Sequence, residues 1–99
     1  MVEVELQFGG GVELIFDNQK SIKIKLDDDK KWTVKDLLDY LLKNMMKDCK
    51  TPEIFILNGN VRPGILVLIN DCDWEILDGV NTVINNNDII TFISTLHGG

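Results

Sequence analysis

The chain has 99 residues, 44% hydrophobic and 26% charged, which suits one soluble domain with a single core and no covalent staples. Sixteen acidic against ten basic side chains give a net charge of -6, and a body that acidic repels phosphate backbones, so no direct nucleic-acid partner is expected. The longest apolar run, Ile65–Ile69, is far too short to cross a bilayer, and the start Met1-Val2-Glu3-Val4-Glu5 lacks the basic and apolar blocks of a leader. A cytoplasmic chain with no membrane partner is the expectation.

Val2, Val4, Leu6 and Phe8 alternate with Glu3, Glu5 and Gln7, the period-two pattern of a half-buried strand. Gly9-Gly10-Gly11 then turns the chain into a second expected strand, Val12–Phe16, and the pair reads as a hairpin. After a loop at Asp17-Asn18-Gln19, alternation resumes with Ile22, Ile24 and Leu26 against Lys23 and Lys25. Asp27-Asp28-Asp29 reads as a solvated loop, because three adjacent carboxylates lack the alternating ligand spacing of a calcium loop.

Thr33 is a good helix cap, with Asp36 three residues on to close a capping box and Trp32 and Leu37 placed for a hydrophobic staple. Val34, Leu37, Leu38, Leu41, Leu42, Met45 and Met46 recur at helical spacing and predict one apolar face, its methionines filling the core. Asp36 and Asp39 lie early and Lys43 and Lys47 late, which complements the helix dipole.

Beyond Thr51-Pro52, residues 53–57 form a short apolar piece, followed by turns at Asn58-Gly59-Asn60 and Arg62-Pro63-Gly64. The continuous run Ile65–Ile69 predicts a strand buried on both faces or nearly so. Trp74 and Ile76 mark a brief edge segment, and Asn85-Asn86-Asn87-Asp88 turns into a last strand carrying Ile89, Ile90, Phe92 and Ile93. Residues 94–99 are expected to leave it as a tail. One long helix among these strands fits an α+β roll, a mixed sheet wrapped around one main helix, in one domain spanning residues 1–99. The first and last strands are expected to pair in parallel at the sheet centre, the helix lying in their connection.

Little in the chain resembles an active site. The only histidine, His97, lies in the tail and reads as a recognition residue, since no nucleophile can be held rigidly against it. Gly9-Gly10-Gly11 precedes a strand, unlike a phosphate loop, which opens a lysine-bearing helix. Asp71, Asp73 and Glu75 alternate along one face of the expected edge strand and read as a solvated or partner-facing rim. Cys49 and Cys72 have no metal or redox spacing and read as inert reduced thiols. No catalytic residue, metal ligand or bound cofactor is expected. The ending Gly98-Gly99 is the informative feature. Glycines pass through narrow channels and present an unhindered carboxylate, and four residues beyond Thr95 reach roughly 13 Å. Such a tail suits a carboxylate that another enzyme activates.

The stretch Val61-Arg62-Pro63-Gly64-Ile65-Leu66-Val67-Leu68-Ile69-Asn70-Asp71 with Asp73-Trp74-Glu75 resembles the signature of the ubiquitin-related modifier family of eukaryotic sulfur carriers. The ending Phe92-Ile93-Ser94-Thr95-Leu96-His97-Gly98-Gly99 resembles that family's C-terminus. Val2-Glu3-Val4-Glu5, Phe8-Gly9-Gly10-Gly11, Glu13-Leu14 and Phe16-Asp17 are similar to its start. The departures are residues 44–50, rich in Met and Lys, and Cys72 between its acids.

The resemblance implies a β-grasp (ubiquitin-like) fold and a dual role. Gly99 would be adenylated by a ubiquitin-activating-like enzyme with a rhodanese domain, which uses ATP and a sulfur donor, and converted to a thiocarboxylate. The thiocarboxylate would give sulfur to cytosolic tRNA thiolation enzymes for 2-thiolation of the wobble uridine. The same carbon would also be joined to lysines of target proteins, with Gly98 as slim spacer and His97 in tail recognition. A small acidic body with a free tail is expected to be a monomer. Two rivals share the fold: a non-covalent β-grasp interaction module, and the small sulfur-carrier subunit of a cofactor-synthesis enzyme.

Overall fold

The structure, a computed structural model, describes residues 1–95. In chain order its elements are β1 (Val2–Gly9), β2 (Ser21–Leu26), α1 (Val34–Tyr40), β3 (Ile56–Leu57), β4 (Asn60–Val61), β5 (Ile65–Ile69), β6 (Cys72–Asp73) and β7 (Ile89–Ser94). Five strands form one mixed sheet in the order β2-β1-β7-β5-β6, and β3 and β4 make a separate hairpin. Strand β7 sits at the centre, parallel to β1 and antiparallel to β5. The expected mixed sheet on one main helix, with first and last strands parallel, is therefore present.

The segment Val12–Phe16 is a 3-10 turn and not the expected strand. A strand would put Val12, Leu14 and Phe16 on one face. Instead Val12 and Phe16 are buried and Leu14 is exposed, the separation that a helical turn produces. Positive φ at Gly10 and Gly11 swings the chain into this turn, and positive φ at Asp17 and Asn18 ends it. The hairpin partner of β1 is consequently β2, in a register running from Val2 opposite Leu26 to Gln7 opposite Ser21.

The predicted capping box is present. The Asp36 amide donates to Thr33 Oγ1 at 3.3 Å and the Thr33 amide donates to Asp36 Oδ2 at 3.0 Å. Val34, Leu37, Leu38 and Leu41 are buried on the sheet. The last turn, Leu41–Met45, widens to a π-type turn, in which the Met46 amide donates to the Leu41 carbonyl at 2.8 Å. One extra residue in a turn rotates the residues beyond it about the helix axis. Met46 is therefore buried and Met45 exposed, so the expected single apolar face breaks at its end.

Strand β5 alternates rather than burying both faces, because α1 covers only one side of the sheet. Ile65, Val67 and Ile69 are buried, whereas Leu66 is exposed and Leu68 half-buried on the outer side. The edge strand β6 is Cys72–Asp73, two residues before the expected Trp74 and Ile76. Trp74 instead opens a turn, buried, and Ile76 stands in solvent.

All four phenylalanines of the chain form one cluster. Phe8 stacks on Phe16 with ring centroids 4.2 Å apart, and Phe55 meets Phe92 edge-on at 5.0 Å. Phe8 and Phe92 are paired neighbours in β1 and β7, so the cluster lies directly beneath the C-terminal end of β7.

Candidate functional site at the end of the last strand

Strand β7 is fastened at both ends. At its start, Asn70 Nδ2 donates to Asp88 Oδ1 at 2.8 Å, and the Asn85 amide donates to Asp88 Oδ2 at 2.8 Å. The Ile89 amide donates to Asn70 Oδ1 at 2.9 Å, so one buried carboxylate and one amide side chain tie β7 to the end of β5.

At its other end the strand runs one residue into the stretch expected to be tail. Ser94 pairs with Ile65. Thr95 is also held: its amide donates to the Gly64 carbonyl at 2.9 Å and its Oγ1 to the same oxygen at 2.6 Å. On the opposite side Gly10, at φ 66°, lies so close that a Cβ there would overlap the Ser94 carbonyl oxygen and sit 3.0 Å from the Ser94 nitrogen. Two turn glycines thus grip the strand end, Gly64 by accepting and Gly10 by having no side chain. Gly11 steadies the second grip, its amide donating to both Glu13 carboxylate oxygens at 2.9 and 3.0 Å.

In the sequence Gly10 and Gly64 read only as turn formers, and this grip is missed. For Gly10 the available signal was its place after the strand expected to pair with the last one; nothing in the sequence placed β5, and with it Gly64, beside β7. The residues singled out for chemistry, His97, Gly98 and Gly99, lie outside the described residues.

The outer sheet face beside the grip is apolar. Leu66 is directly opposite Ile93, Leu68 opposite Thr91, and Ile89 continues the strip. Its far border is polar, with Glu5 opposite Lys23 and Glu3 opposite Lys25. Hydrogen bonds from Gln7 and then Ser21 hold the Glu5 carboxyl below its ordinary range, with Lys23 adding to the effect. Of Asp71, Asp73 and Glu75 only Asp73 lies in β6, so the three do not share a strand face; Asp71 and Glu75 are exposed, and Asp73 Oδ1 accepts from the Glu75 amide at 2.9 Å. Among the described residues no group of three or more His, Cys, Asp or Glu is placed to hold a metal ion. Cys49 and Cys72 are free and half-buried. No helix among these residues is long and apolar enough to cross a membrane.

A five-stranded mixed sheet on one helix, with a central last strand delivering the C-terminus, defines a ubiquitin-like β-grasp protein. A family model described as Urm1 (Ubiquitin related modifier) matches residues 3–99. Ubiquitin-related modifier 1 homolog 1 of Arabidopsis thaliana is 45% identical, covering 99% of this chain and 100% of the relative. Ubiquitin-related modifier 1 of Homo sapiens is 46% identical over 99% of this chain and 96% of its own. The solution structure of Urm1 from Trypanosoma brucei superposes with a TM-score of 0.80 at 37% identity, covering 98% of this chain and 95% of that one. The chain belongs to the ubiquitin-related modifier family.

Proposed function

We propose that this chain is one ubiquitin-like domain that works as a sulfur carrier and protein modifier through the carbonyl carbon of Gly99. The observation that carries the reading is the double grip on Ser94 and Thr95, which gives the four residues beyond it a fixed origin. A tail of that length lets Gly99 reach roughly 13 Å into a partner's site while the body stays docked.

The chemistry follows from the carboxylate. Its negative charge repels nucleophiles, so a ubiquitin-activating-like enzyme first transfers AMP from ATP to Gly99, releasing pyrophosphate. A persulfide sulfur on its rhodanese domain then displaces AMP to form an acyl disulfide. A second enzyme thiol attacks the enzyme-side sulfur of that S–S bond, forming an enzyme disulfide and releasing the C-terminal thiocarboxylate. That nucleophilic sulfur is passed to cytosolic tRNA thiolation enzymes for 2-thiolation of the wobble uridine. Alternatively a lysine amine of a target protein attacks the thiocarboxylate carbon and forms an isopeptide bond, the C–S bond breaking as the sulfur leaves as hydrosulfide. The carrier needs no catalytic group, metal or bound cofactor of its own, since its partners supply them in the cytoplasm. Gly98 admits the tail to a narrow channel, His97 contributes to its recognition, and the strip of Leu66, Leu68, Ile89 and Ile93 docks the activating enzyme.

The test is replacement of Gly99 by Ala, or its deletion, in cells lacking the natural carrier. The variant should fold with unchanged stability and leave tRNA unthiolated. Thiolation at the wild-type level by either variant would contradict the assignment.

A further inference from the structure

Three exposed apolar side chains from separate segments converge on one groove of about 540 Å³. Leu14 is 71% exposed, Met45 37% and Ile54 40%, and Cys49 lies half-buried between them. Regular α spacing would stack Met45 above the buried Leu38 and Leu41. The widened turn at Leu41–Met45 turns it outward instead, so a local irregularity of the helix builds one wall. Such widened turns recur at functional sites, and methionine adapts to varied apolar partners. The charged residues lining the groove are Asp17 and Asp48, both acidic. The groove is linked to the end of the last strand: the turn that carries Leu14 begins two residues after Gly10, which lies against Ser94.

We propose that this groove docks an amphipathic segment of a protein that acts at the C-terminus. Its apolar side chains cover Leu14, Met45 and Ile54, and its Lys or Arg side chains face Asp17 and Asp48. Charge complementarity selects a basic segment, in keeping with the net charge of -6. Helix-in-groove binding supplies the apolar anchors. The groove is separate from the Leu66–Ile93 strip, so both surfaces can be engaged together. The link to the terminus rests on the carrier reading; occupancy of the groove does not.

The probe is a synthetic Leu/Lys amphipathic helical peptide titrated into the isotope-labelled full chain by NMR. Shifts should centre on Leu14, Met45, Cys49 and Ile54. A scrambled peptide of the same composition should bind at least about tenfold more weakly, as should the designed peptide to the Asp17→Lys, Asp48→Lys variant. Shifts centred on Leu66 and Ile93, equal affinity for the scramble or the variant, or no binding at millimolar peptide would overturn the docking site. Sulfur loading of Gly99, measured without peptide, tests the carrier reading by itself. With a loaded chain, excess peptide should slow lysine conjugation in extract at least about threefold and the scramble should not. Equal rates would sever the groove from the terminus.

Discussion

Gly10 lies against the carbonyl of Ser94 with no room for a Cβ between them. The contact joins the end of β1 to the end of β7, parallel neighbours whose backbones would otherwise diverge where pairing stops. Gly10→Ala meets two obstacles at once, the overlap with Ser94 and a φ of 66° that L side chains rarely adopt. A loss of about 2–4 kcal/mol in urea unfolding is expected. Faster exchange of the Thr95 amide should accompany it as the grip on the strand end loosens. Wild-type stability and exchange would show that the contact holds nothing.

Phe92 joins the sheet centre to the aromatic cluster and is fully buried. Phe92→Ala should cost about 3–5 kcal/mol, the transfer loss plus the cavity left beneath the tail base. Calorimetry would show it as a large fall in Tm. A small fall would mean that Phe8 and Phe55 close over the space.

Asp88 is buried and accepts from both Asn70 and Asn85. Asp88→Ala removes two hydrogen bonds to a charged acceptor, from residues exposed enough to rehydrate, and should destabilise by about 1–3 kcal/mol. In a double-mutant cycle, Asn70→Ala should add much less to Asp88→Ala than it costs alone. Full additivity would separate the two residues energetically.

The Thr33 backbone amide is the main cause that holds the Asp36 carboxyl below its ordinary value of 3.8, with Lys30 a smaller one. A carboxyl lowered in the folded state stabilises above its unfolded pKa, and that contribution is lost as pH falls through the folded value. Asp36→Asn should therefore cost stability at neutral pH, and the difference from the wild type should shrink as pH falls below 3.8 and through the lowered folded value. Thr33→Ala, which removes the reciprocal bond, should cost about 0.5–2 kcal/mol. Parallel curves for wild type and Asp36→Asn across the acid range would contradict this origin.

The features legible in the sequence share one property, which is that local chemistry and tertiary burial agree. Strand β1 alternates and is covered on one side, the Thr33–Asp36 cap is complete within four residues, and β7 is apolar where the sheet is deepest. The segment Val12–Phe16 misleads because its apolar residues satisfy a strand by composition and a helical turn by spacing. Only the burial of Val12 and Phe16 with Leu14 outside decides between them. The widened turn before Met46 has no sequence signal, since both methionines fit an apolar helix face. Strand β5 reads as buried throughout because an unbroken apolar run does not reveal that a single helix covers one face. The site divides in the same way. The glycine ending announces itself, whereas the grip by Gly10 and Gly64 needs the sheet order to bring three distant segments together.

Whether Gly99 bears the sulfur can be read by top-down mass spectrometry. The chain is incubated with the activating enzyme, ATP and a sulfur donor, then fragmented to localise any change. Oxidation of Met1, Met45 or Met46 gives nearly the same mass gain, so fragments must separate those positions from the terminus. One oxygen at Gly99 should be replaced by sulfur. An unmodified terminus, with the same enzyme active on an established carrier, would contradict it.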